Sequence, residues 1–342
     1  MSESLTVQLL GSCTPDRFGR VGAGLLAQVE SDRTPRLVIA ALSGESVLLG
    51  RHQRASSALE LIQVQEAGLP ISRRLGGGRA FRVGEGQVGI LLAVPELGSL
   101  LQAPIGPTKL INRYIRGLNV GLALVGAGSG AHYFGRDFIS AEGRQIAAVS
   151  QDGSPAGAGI FEAIVAVSRS LELPSALRGY PEHGDPRADG PPFGTLSELW
   201  SRPHSFDEIA EAVITGYQRA LGCTIERADA SAPVPEAALF PMALEEEEGL
   251  EDSGVTDIPI GFAEALVRRP LEPITEVRLR GDFIAPSFVL EDLQRELVGK
   301  NLVFEELGLV VDEAFRRPNA GILGVRTMRF FPDAILAASG RL

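Results

Sequence analysis

Lysine is nearly absent from this chain. Of its 32 basic residues only Lys109 and Lys300 are lysine, so chemistry that depends on an ammonium group has few places to come from. Cysteine is confined to Cys13 and Cys223, too few for a disulfide framework and without the spacing of a zinc site or a paired redox motif. The histidines, His52, His132, His183 and His204, show no i, i+4 pairing that would mark a metal site. No run of 18 apolar residues occurs, which excludes a membrane-spanning helix. The start, Met1-Ser2-Glu3-Ser4, lacks the basic region of a secretory signal, and the expected location is cytoplasmic. Positive charge is in deficit as well: a formal net charge of −11 argues against broad nucleic-acid binding, which needs a concentrated basic surface.

What is present is a soluble globular composition, 44% hydrophobic and 22% charged over 342 residues, enough for one large domain and a smaller one. Short apolar runs at 37–40, 46–49 and 88–94 read as buried strands. A helix is expected over 55–67, ended by Gly68 and Pro70, and another over 107–124, with Pro107 near its start. Residues 138–139 and 145–149 read as a hairpin across Ala141-Glu142-Gly143. Residues 160–167 fit a strand or a helix equally. A Pro- and Gly-rich loop is expected at 178–192, and an amphipathic helix at 205–221, with Ser205 as N-cap, Glu208 three residues later and Gly222 as its stop. A strand at 274–280 and a helix at 290–297 follow. The expected division is a domain over 1–230, an acidic linker over 231–258 and a smaller domain over 259–342. The pattern is α/β or α+β with a mixed sheet.

Two segments carry chemistry. In Ser72-Arg73-Arg74-Leu75-Gly76-Gly77-Gly78-Arg79 a three-glycine turn lets backbone N–H groups approach an anion, and the arginines offer bidentate contacts to phosphate or carboxylate. The structural alternative is a glycine-rich hairpin with surface arginines. The second segment runs from Gly135-Arg136-Asp137-Phe138 to Gly143-Arg144-Gln145-Ile146. Neither fits the phosphate-loop or dinucleotide fingerprint.

These segments resemble the lipoate/octanoate–protein ligases and their biotin-ligase relatives. Leu49-Gly50-Arg51-His52-Gln53 is similar to that family's LGRxQ, and 68–78 to GxPxxRRxSGGG. Residues 135–138 resemble GRND, 143–151 resemble GRKISGSAQ, and 276–283 followed by 293–299 resemble the accessory domain of stand-alone lipoate ligases. The resemblance implies an α+β fold, with a mixed, mainly antiparallel sheet flanked by helices and a smaller α/β C-terminal domain. It also implies ATP, Mg and lipoate or octanoate as ligands, an acyl-adenylate intermediate, and a lipoyl-carrier domain or H-protein-like acceptor, with no nucleic-acid or membrane partner. Arg73, Arg74, Gly76, Gly77, Gly78, Arg136, Asp137, Gly143 and Arg144 are the implied substrate and ATP contacts, Asp137 also the implied metal ligand. Val88, Ile90 and Leu92 are candidates for the wall of an acyl slot, or plain core. His52 and Gln53 are expected to act only in support.

The chain departs from the pattern where it matters. Gln145 stands at the position of the family's catalytic lysine and carries no charge, with Arg144 or Arg79 as possible substitutes. Leu75 replaces the serine before the glycines. Two expectations follow: a working ligase, or a catalytically impaired homologue acting as a lipoyl-, adenylate- or carrier-binding adaptor.

Overall fold

A computed structural model describes residues 3–101, 110–126, 130–180, 190–229, 232–238, 249–250, 252–269 and 273–340. The chain opens with strand β1 (Ser4–Cys13) and helix α1 (Pro15–Asp32). Then come β2 (Arg36–Leu42), β3 (Glu45–Leu49), the short helices α2 (Ala55–Ala58) and α3 (Leu61–Glu66), β4 (Ile71–Arg73), β5 (Phe81–Gly84) and β6 (Gln87–Val94). Helix α4 (Leu110–Val125) leads into β7 (Ala131–Tyr133), β8 (Phe138–Ala141), β9 (Arg144–Gly153) and β10 (Gly159–Ala166). Helices α5 (Leu196–Leu199) and α6 (Phe206–Leu221) and strand β11 (Thr224–Arg227) complete the larger part.

The main sheet has eight strands in the order β11-β1-β2-β6-β10-β9-β8-β7. Only β1 pairs in parallel, with β11 and β2; the other pairings are antiparallel. Alternation sorts its residues onto two faces. Val7, Leu37, Ile39, Ile90 and Leu92 join α4 and α6 in one core, while Val38, Ala40, Leu91 and Ala93 pack with Phe18, Val21 and Leu25 of α1 in a second. A small sheet, β4-β3-β5, lies beside α1 and carries the arginine–glycine segment between β4 and β5.

The smaller C-terminal part has its own core. It consists of the antiparallel sheet β12 (Asp252–Ile258), β13 (Gly261–Val267) and β14 (Val277–Gly281), with helices α7 (Ser287–Leu297), α8 (Phe304–Arg316) and α9 (Phe330–Ala338). Strand β12 falls within the stretch expected as linker. Before it, residues 232–238 lie along α1: the Ala237 N–H donates to Arg20 O, and Glu236 pairs with Arg17 and Arg20. The acidic run at 245–248 and the cation Lys109 lie outside the described residues.

One expected element is broken for an identifiable reason, one ambiguous segment is settled, and two others lie as expected. The helix expected over 55–67 is two short pieces, because Leu59 turns extended, bridges Arg178 and buries its side chain. Residues 160–167, ambiguous by periodicity, are strand β10 at the sheet centre, buried throughout. Ser205 caps α6 by accepting from the Glu208 N–H, and Gly222 ends it at φ 67°. The β8–β9 hairpin turns through Glu142 and Gly143, both at positive φ, the conformation a two-residue hairpin requires.

Candidate functional site

Strands β3 and β4 run in parallel, so that the segment after β4 folds back over the end of β3. The approach is close: a Cβ on Gly50 would sit 2.0 Å from Gly78 O, so glycine is required there. The three arginines around this turn are buried, each less than 8% exposed. Arg73 Nη1 donates to the carbonyls of Gly50, Arg51 and Gln53 at 2.7–2.9 Å. Arg74 donates from Nε and Nη2 to Gly77 O and from Nη2 to Arg79 O, with its guanidinium over the Phe81 ring. Burial pulls the Arg74 pKa down to about 10. Arg74 thus braces the glycine turn through its carbonyl groups, and Arg73 braces the 50–53 segment that packs against it.

The amides of the turn face a carboxylate of the chain itself. Glu162, on β10, accepts from the Gly76 N–H at 2.7 Å and the Leu75 N–H at 3.3 Å, and from Ser150 Oγ at 2.8 Å. It is 1% exposed, and desolvation raises its pKa against the opposing field of Arg74. Next along the turn, the Gly78 N–H donates to Phe283 O at 3.1 Å, and a Cβ on Gly77 would lie 2.3 Å from the same carbonyl. The Leu75, Gly76 and Gly78 amides of the expected anion-binding turn are therefore bonded within the chain, to Glu162 and to the C-terminal domain.

The two chemistry-bearing segments meet through Arg79. Its Nε and Nη2 donate to the two oxygens of Asp137 at 2.6 and 3.1 Å, and Nη2 also donates to Gln145 Oε1 at 2.9 Å. Asp137 is 0% exposed and Gln145 2%. The Gln145 amide donates to Pro191 O at 2.5 Å, while residues 192–194 bind its backbone on the sheet edge. Asp137 thus gives both carboxylate oxygens to Arg79 at full burial, and among the described residues no group of three or more His, Cys, Asp or Glu has metal-site geometry. Arg144 is exposed and reaches Phe193 O, and Gly143 forms the hairpin turn. Arg136 leaves this cluster altogether, donating to Pro259 O in the C-terminal domain.

His52 and Gln53 hold the two domains together. His52 Nε2 donates to Ala285 O at 2.9 Å, its ring stacks on Phe283 with centroids 5.2 Å apart, and its carbonyl accepts from the Gly281 N–H. Full burial drops its pKa to about 3, so the ring is neutral. Gln53 Nε2 donates to Asp282 Oδ1 at 2.6 Å. Asp152 completes the joint at the start of α7, accepting from the N–H and Oγ of Ser287 at 2.8 and 2.5 Å. Sequence reasoning missed Glu162 and Asp152. For Glu162 the available signal was a single acid inside the otherwise apolar strand β10, which demands a buried partner; Asp152 sits among polar residues of β9 and carried no such signal.

The residues considered for an acyl slot, Val88, Ile90 and Leu92, are packed in the core beneath α4 and α6. A cavity of about 20 Å³, the room of one water, lies at the domain joint, where Leu97, Phe161 and Phe288 face Gln151, Asp152 and Asn319. Cys13 and Cys223 are buried, and desolvation raises both thiols, Cys13 to about 11, which excludes a resting thiolate at either.

No protein-family model matches the chain, and no curated protein does. Solved structures do. P. falciparum LipL1 in complex with lipoate aligns over 92% of this chain and 95% of its own, with TM-score 0.66 and 12% identity. A bipartite lipoate–protein ligase of Thermoplasma acidophilum, described with its E2 lipoyl domain, aligns over 67% of this chain and 87% of its own, with TM-score 0.55 and 17% identity. A lipoate–protein ligase A bound with ATP gives 0.53 at 17% identity, over 67% and 89%. The chain has the fold of the lipoate–protein ligases, a mixed and mainly antiparallel α+β architecture with a smaller C-terminal domain. Among its described residues no helix is long and apolar enough to cross a membrane.

Proposed function

We infer that this protein is a lipoate-ligase homologue that binds a lipoyl-type carrier domain without forming an acyl-adenylate. One observation carries the reading: the Leu75, Gly76 and Gly78 amides, which a nucleotide phosphate would need, are bonded to Glu162 and Phe283 O. Gln145 adds to it. An uncharged amide cannot supply the cation that stabilises developing negative charge, a loss of roughly 10²–10³ in rate by analogy with oxyanion donors. The carrier half of the proposal draws on the fold it shares with ligases, one of which is described with its E2 lipoyl domain. Mixing the purified protein with a lipoyl domain, lipoate and Mg·ATP tests both halves. Saturable binding with an unmodified carrier mass is expected; a carrier carrying a lipoyl adduct contradicts the proposal.

A second reading has one specific observation in its favour. The Arg79 guanidinium lies 2.9 Å from Gln145 Oε1, so a cation stands beside the position of the absent lysine. In an active ligase Arg79 would supply that charge, and Arg79→Gln would abolish lipoyl transfer.

A further inference from the structure

A second cleft, of about 290 Å³, opens to solvent with walls from both domains. Arg136 enters from the β7–β8 turn. Asp257, Pro259, Arg326, Thr327 and Phe330 belong to the C-terminal domain. Arg136 Nη2 donates to Pro259 O, which fixes its guanidinium at the rim, and it has no carboxylate partner among the described residues. Arg326 is exposed and has no hydrogen-bond or ion-pair partner among the described residues. The Thr327 hydroxyl accepts from the Arg329 N–H, leaving its own hydrogen to donate. Two guanidinium groups without an ion pair among the described residues and a free hydroxyl donor, against one carboxylate, Asp257, line this cleft in a chain of net charge −11, whose arginines otherwise form many ion pairs with acidic residues.

We propose that this cleft binds the phosphoryl group of a small metabolite, with Arg136, Arg326 and Thr327 as its donors. Planar guanidinium groups match phosphate oxygens in a bidentate way, and the volume is at the lower end for small-molecule sites. Asp257 lies in the same cleft as the opposing charge, so it weakens the site rather than building it. Because Arg136 and Arg326 sit on different domains, a bound phosphoryl group bridges the joint and stabilises the folded pair. The inference is independent of whether the glycine turn is catalytic.

The test is isothermal titration of the full chain with inorganic phosphate, AMP and ATP, paired with melting temperature. Saturable binding of at least one is expected, with a rise in melting temperature. Arg326→Ala, at an exposed position that leaves the fold intact, should weaken it about 10-fold. Asp257→Asn should tighten it severalfold. Equal affinity for phosphate and AMP would mean that the phosphoryl group alone is read, and tighter binding of AMP or ATP would mean a nucleotide ligand. No saturable binding by the wild-type chain, or affinities unmoved by both substitutions, would overturn the proposal.

Discussion

Arg79 Nη2 and Gln145 Oε1 stand 2.9 Å apart, and the same guanidinium grips both oxygens of Asp137. This is a closed, buried network in which Gln145 serves as an acceptor. A lysine at 145 would remove that acceptor and bring a second cation against Arg79. Gln145→Lys is therefore expected to destabilise the protein by about 1–3 kcal/mol, the usual cost of an unpaired buried polar group or charge. Urea denaturation measures it. A variant as stable as wild type, or one that gains lipoyl transfer, would show that the side chain has room to reach a ligand.

Glu162 accepts three hydrogen bonds from the glycine turn and Ser150. Glu162→Ala strands those donors, and a loss of about 2–4 kcal/mol is expected. The same variant should lose hydrogen-exchange protection at the Gly76 amide. Unchanged protection there would mean that the carboxylate does not hold the turn.

The titration of the buried acids has a definite sign. The carboxyl groups of Glu162 and Asp152 have pKa values raised by burial, so the folded state holds their protons more tightly than the unfolded chain. Their contribution is most favourable at low pH and is lost as pH rises from the ordinary carboxyl range through the raised values. Replacing Asp152 with Asn should flatten the loss of stability on going from acid to neutral pH. A melting-temperature profile parallel to wild type would contradict this.

His52 titrates in the opposite sense. Its folded pKa of about 3 lies below the ordinary 6.5, so its contribution is complete above pH 6.5 and is lost as pH falls toward 3, by up to about 1.4 kcal/mol per pH unit. His52→Gln keeps a donor for Ala285 O without the titration. That variant should lose less stability than wild type between pH 6.5 and 5, as read by the difference in melting temperature. An identical acid loss in both proteins would remove His52 from the account.

The sequence made the periodic elements legible: β2, β3, β6 and α6 lie where their apolar patterns and caps put them. It was less informative where tertiary contacts set the structure. Leu59 breaks a helical pattern to pair with Arg178, and α1 carries Gly22 and Gly24 in its interior, poor helix formers that here permit close packing. The site divides in the same way. That Arg73, Arg74 and Arg79 belong with a glycine turn is written locally, as residues adjacent in the chain. Their partners are not: Glu162 is 86 residues from Gly76 and Asp282 is 229 from Gln53, distances over which one sequence records no pairing.

The most direct test of the closed glycine turn is acid-dependent pyrophosphate release, measured with Mg·ATP and lipoate or octanoate on the purified full chain. The account predicts release at the no-enzyme background with either acid, unchanged by a carrier domain. Acyl-dependent release above that background, abolished by Arg79→Gln, would mean that the turn opens to a nucleotide and would contradict it.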